Sequence, residues 1–189
     1  MQYTIHNQAS NINPSELRNA YTEILNRYDS ALQFALTLTL KQYAKISIKE
    51  QGSDYCPTVI RALDEDTLTS TIRYFTANLT QLLYGNAAKH KNKQHYAKPL
   101  LFFAVEGLNT GHKLTHLHAA LGNVPEHKKD QIDVLVRNAW ARCDFANKHV
   151  HIQPYYSTGW NSYITKEIGL SNNDALSIVH STIPAIFQN

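Results

Sequence analysis

Residues 31–41 constrain the fold more than any other stretch of this chain. Leu32, Phe34, Leu36, Leu38 and Leu40 alternate there with Gln33, Ala35, Thr37 and Thr39. A period of two belongs to a strand, whose successive side chains point to opposite faces. One face of this strand is large and apolar, while the other is small and polar. A sheet packed on one side only has this pattern. The chain must therefore supply helices to cover the apolar side and a role for the polar one.

The same alternation recurs. Along residues 100–107, Leu101, Phe103 and Val105 oppose Phe102, Ala104 and Glu106. A turn through Asn109, Thr110 and Gly111 returns the chain along residues 113–121 as a hairpin, where His116 and His118 flank Leu117. In residues 148–153, Val150 and Ile152 oppose His149, His151 and Gln153. Helical spacing appears between these segments. Asn13 caps and Pro14 opens a helix to about Tyr28. Leu68, Ile72, Phe75, Leu79, Leu82 and Leu83 form the buried stripe of a helix from Asp64 or Asp66 to about Tyr84. Pro125 opens a helix to about Arg142, residues 160–168 form a short one, and residues 171–189 a further helix with a loose tail. Residues 45–63 have no clear period; Ile46 and Ile48 could continue the sheet, and Cys56-Pro57 marks a turn. The order predicts an α+β fold of ferredoxin-like type, an antiparallel sheet with helices on one face and the site on the open face.

At 189 residues, with 43% apolar and 17% charged residues, a single domain over residues 1–189 is expected. No run approaches a membrane span, and the first residues lack a secretory pattern. Cys56 and Cys143 are isolated thiols without metal-type spacing, so a reducing cytoplasm is the expected setting. A net charge of +3 permits nucleic acid without demanding it. The lysine clusters at 89–98 and 128–129 read as solvated surface. There is no GxxxxGK[ST] motif, so any helicase would be a separate partner.

The polar face collects Thr37, Thr39, Glu106, His116, His118, His149, His151 and Gln153. Two imidazoles and a carboxylate leave positions open on a divalent ion, which makes Glu106, His116 and His118 candidate ligands. Mn²⁺ suits the nitrogen donors, Mg²⁺ is the abundant alternative, and Zn²⁺ also fits the set. Tyr163 and Lys166, three residues apart, share one face of a helix. Together these groups suit phosphodiester cleavage, with Tyr163 the nucleophile, Lys166 a nearby positive charge and the metal a Lewis acid.

These residues resemble three motifs of the HUH endonucleases, in particular the single-tyrosine rolling-circle replication initiators of plasmids, phages and single-stranded DNA viruses. Phe34-Ala35-Leu36-Thr37-Leu38-Thr39 is similar to the first-motif strand, although the family's common proline is missing. His116-Leu117-His118 resembles the paired-histidine motif, with Glu106 where such initiators often carry a third ligand. Tyr163-Ile164-Thr165-Lys166 resembles the YxxK helix, and position 167 is Glu, so a second tyrosine one turn on is absent. The resemblance spans about residues 30–170 and implies metal-dependent nicking of single-stranded or origin-hairpin DNA. It further implies a covalent 5′-phosphotyrosine at Tyr163 and DNA contacts from Thr37 and Thr39, while His149, His151 and Gln153, on the same polar face, are expected to touch DNA from there. A relaxase or single-tyrosine transposase would use the same chemistry. A sheet module of the RNA-recognition type would instead use Phe102 to stack on bases. A metal hydrolase would use Glu106, His116 and His118 with water.

Overall fold

The alternation along residues 32–40 becomes the second strand from one edge of a five-stranded sheet. The structure is a computed structural model and describes residues 13–47, 56–93, 95–108, 114–156, 158–166 and 176–188. In chain order the elements are α1 (Pro14–Arg27), β1 (Leu32–Leu40), β2 (Tyr43–Ser47), β3 (Thr58–Ala62), α2 (Glu65–Tyr84) and β4 (Leu100–Glu106). They continue with β5 (His116–Gly122), α3 (Ile132–Trp140), β6 (Ala146–Pro154), α4 (Thr158–Ile164) and β7 (Leu176–Thr182). The main sheet is antiparallel throughout, in the order β6-β1-β5-β4-β7, and β2 and β3 pair separately. The expected α+β architecture is the one observed.

One face of the sheet carries Leu36, Leu38, Leu101, Phe103, Val105, Leu117, Ala119 and Leu121, all buried under α2 and α3. The Phe75 ring of α2 meets Phe103 and Trp140 edge-on, at 6.3 and 5.5 Å between centroids. Fully burying side chains of this size stabilises the fold by about 1.5–3 kcal/mol each. The start of α2 is fixed by a capping box, in which the Asp64 carboxylate accepts from Thr67 N and the Thr67 hydroxyl accepts from Asp64 N, both at 2.8 Å. Asn13 caps α1 through Ser15 N, with Pro14 in the first turn.

The second face is not wholly open. Leu25 of α1 and Ile164 of α4 pack on Leu32, Leu100, Phe102, Ala104 and Ala120. Phe102 lies buried with Tyr28 tilted against it, centroids 5.3 Å apart, so it is not the exposed stacking platform that a base-binding sheet needs. On this face β4 runs from apolar to acidic, through Leu100, Phe102, Ala104 and Glu106, and antiparallel β5 runs from His116 and His118 to Ala120. The apolar ends therefore coincide under the helices, and the polar ends coincide beside them. Gly122 closes the apolar end, where an added Cβ would stand 2.2 Å from the Ala31 carbonyl oxygen.

Three expectations are corrected. Residues 176–182, expected within a final helix, form β7, which pairs with the edge of β4. Its Ile178, Val179 and Thr182 are β-branched and suit a strand, and an unpaired β4 edge offers backbone partners that an isolated helix would not. Ile46 does not extend the main sheet but pairs with Val59 in the β2–β3 hairpin. The helix opened at Pro125 begins as a 3₁₀ segment over Glu126–Gln131, and its α-helical part ends at Trp140. The turn at residues 109–111, together with Ile48, lies outside the described residues.

Candidate active site

Backbone register sets the site. Thr37 of β1 pairs with His118 of β5 on one side and with His151 of β6 on the other, and Glu106 of β4 pairs with His116. The side-chain contact of Glu106 is nevertheless diagonal, because its Oε2 lies 2.8 Å from His118 Nε2. Diagonal neighbours across an antiparallel pair are within reach of long side chains. On its other edge the His118 ring uses Nδ1, 3.1 Å from the Thr37 hydroxyl.

Helix α4 is short and has little intrinsic stability. It is held to α1 by polar ties as well as by Ile164. Asn161 Nδ2 donates to Asn26 Oδ1 at 2.9 Å, Arg18 donates to the Ser162 carbonyl at 3.2 Å, and the Thr165 and Thr22 hydroxyls meet at 3.3 Å. Docked in this way, the end of α4 brings Lys166 Nζ to 3.0 Å from the same Glu106 Oε2. Lys166 Nζ also stands 3.9 Å from the centre of the Tyr163 ring. Tyr163 is 42% exposed, stacks on Trp160 at 5.2 Å and meets the His118 ring edge-on at 5.2 Å.

The charges are interdependent. Burial pushes the Glu106 carboxyl up, but hydrogen bonds from Lys166 and His118 outweigh it and hold the group down at about 2. Burial lowers the pKa of His118 by more than Glu106 raises it, which leaves the imidazole neutral at neutral pH. Burial would also lower Lys166, but Glu106 and Tyr163 raise it above the ordinary lysine value. An ionised carboxylate only accepts, so the His118 proton resides on Nε2 and the Thr37 hydroxyl donates to Nδ1.

Two of the three expected ligands of a divalent ion, His118 and Glu106, are adjacent, but as they stand the His118 N–H donates to the Glu106 carboxylate. His118 Nε2 and Glu106 Oε2 are 2.8 Å apart, close to the spacing of about 3 Å between adjacent ligands bound at about 2.1 Å. The His116 ring lies parallel to that of His118, at 6.5 Å between centroids, and must turn about its own side-chain torsions to join them. As the side chains stand, no group of three His, Cys, Asp or Glu among the described residues converges as a ligand set. Ligation by Nε2 requires the His118 proton to move to Nδ1, where the Thr37 hydroxyl can accept it. Thr37 thus supports either tautomer.

The remaining expected residues adjoin this cluster through Thr37 and His116. His149 and His151 of β6, with Thr37, Thr39, His116, Lys148 and Arg137 of α3, line a shallow cleft of about 370 Å³. The β1 strand separates β6 from β5. Thr39 is buried, so it serves as cleft floor rather than a projecting contact, and Gln153 lies 3.3 Å from His151. Of the other nearby tyrosines, Tyr155 donates to Asp29 at 2.6 Å and Tyr156 is 78% exposed. Trp160 was not anticipated as part of the site. Its position one turn before Tyr163 was the available signal. No protein-family model, curated protein or solved structure matches the chain. Among the described residues no helix is long and apolar enough to cross a membrane.

Proposed function

We propose that this protein nicks and rejoins a specific DNA strand through a covalent 5′-phosphotyrosine, in the manner of a single-tyrosine initiator of rolling-circle replication. The observation that carries this reading is the meeting of Glu106, His118, Lys166 and Tyr163, drawn from β4, β5 and the end of α4, on one sheet face. A divalent ion held by Glu106, His118 and a turned His116 would supply Lewis-acid polarisation of a non-bridging phosphate oxygen.

The chain's own groups do the rest. A tyrosine hydroxyl has a reference pKa of about 10 and needs positive surroundings to act near neutrality. The Lys166 ammonium, 3.9 Å from the centre of the Tyr163 ring, supplies a positive charge beside the nucleophile. The Tyr163 oxygen bonds to phosphorus, the P–O3′ bond breaks, and the departing 3′ oxygen takes up the phenolic proton. The ester retains the bond energy, so attack by a 3′-hydroxyl reverses the step and releases Tyr163. The shallow cleft lined by His149, His151, Lys148 and Arg137 offers the flanking strand a surface of imidazoles, hydroxyls and two cations.

The test is incubation of the chain with single-stranded origin-hairpin DNA and Mn²⁺, followed by denaturing electrophoresis for a protein–DNA adduct. Tyr163→Phe should abolish both cleavage and adduct while leaving DNA binding intact. An adduct that persists in Tyr163→Phe transfers the nucleophile to another residue, and cleavage without any adduct makes the protein a metal hydrolase.

A further inference from the structure

A second cleft, of about 480 Å³, lies between α2 and β7, and Arg73, Lys89, Lys98, Thr76, Thr80 and His180 are among the residues that line it. α2 packs on the sheet face opposite the Glu106–His118 pair, so this cleft is remote from the nicking chemistry. No aspartate or glutamate among the described residues lines it. Among the described residues, Arg73, Lys89 and Lys98 form no ion pair. The cleft on the hairpin side of α2, by contrast, is lined by Asp66 and Asp144 as well as Arg61. Three cations facing one concavity without a carboxylate repel one another, and an anion from outside relieves that repulsion. The buried Thr76 hydroxyl has no hydrogen-bond partner among the described residues, and buried Ile72 supplies an apolar surface. Across the cleft, the Arg73 charge lowers the pKa of His180, second to burial.

We propose that this cleft binds a phosphate-bearing anion of nucleotide size. Its volume lies within the range of about 300–1,000 Å³ typical of small-molecule sites. Concavity and an apolar lining favour a ligand that enters the cleft over a duplex lying along a surface. The site does not depend on the nicking reading and stands or falls separately from it.

Isothermal titration calorimetry of the full chain tests it, with ATP, inorganic pyrophosphate and adenosine as probes. Binding of ATP and pyrophosphate with dissociation constants below about 1 mM, and none of adenosine, is the expected result. Arg73→Gln with Lys98→Gln should weaken ATP binding tenfold or more, leaving melting temperature and adduct formation at Tyr163 unchanged. If that pair lowers the melting temperature, Lys89→Gln with Lys98→Gln, both exposed side chains, should give the same loss in a stable protein. No binding of ATP or pyrophosphate, or unchanged ATP affinity in a stable double variant, overturns the proposal. So does duplex DNA binding that the double variant loses when ATP does not bind at all.

Discussion

Glu106→Gln keeps the shape of the side chain and removes the charge that His118 and Lys166 share. The carboxyl is held at about 2 against an ordinary value of 4.5. At roughly 1.4 kcal/mol per pH unit, that difference sets an upper bound of about 3.5 kcal/mol. Glu106 is 15% exposed, but its partner Lys166 is 34% exposed, so solvent screening brings the expected loss to about 1–2 kcal/mol. The folded-state pKa lies below the unfolded one. The stabilisation is therefore complete above about 4.5 and is lost as pH falls towards about 2. Urea unfolding followed by circular dichroism, on wild type and variant, should show the variant weaker at pH 7. The gap should narrow across the window from about 4.5 to about 2. Equal stability at pH 7, or a gap that stays constant through that window, would refute the ion-pair account.

Removing either histidine, as His118→Ala or His116→Ala, should abolish Mn²⁺-dependent nicking while the fold persists, because buried Leu117 between them carries the packing. Full activity in the double variant would shift the ligand role to His149 and His151. Thr37→Val should weaken Mn²⁺ binding about 10- to 100-fold, read from free Mn²⁺ by electron paramagnetic resonance, with a stability loss of about 1 kcal/mol; undiminished affinity would mean that the hydroxyl does not orient His118. Gly122→Ala should cost about 1–3 kcal/mol in thermal or urea unfolding, because its Cβ would press on the Ala31 backbone rather than on a side chain that can move. A neutral result would show that the chain relaxes there.

Alternation marked which residues of a strand share a face, except at Leu32, where a register shift before Phe34 turns the side chain to the second face. Alternation is a local property of strand geometry, so Thr37, Glu106, His116, His118 and His151 could be assigned to one side before any strand order was known. The caps at Asn13 and Asp64 were equally local, since each satisfies backbone donors within its own first turn. Strand adjacency came from long-range pairing, which sets β4, β5 and β1 side by side in a register that brings Glu106 onto His118 and His118 onto Thr37. Periodicity carries no information about pairing between strands distant in sequence. It also could not show that α1 and α4 cover the apolar end of the second face, because Phe102 and Ala104 have the same period whether solvent or a helix lies above them. Edge position did the same for β7. Its residues became a strand where β4 offered an unpaired backbone, and the cleft it forms with α2 exists only because two elements about a hundred residues apart meet.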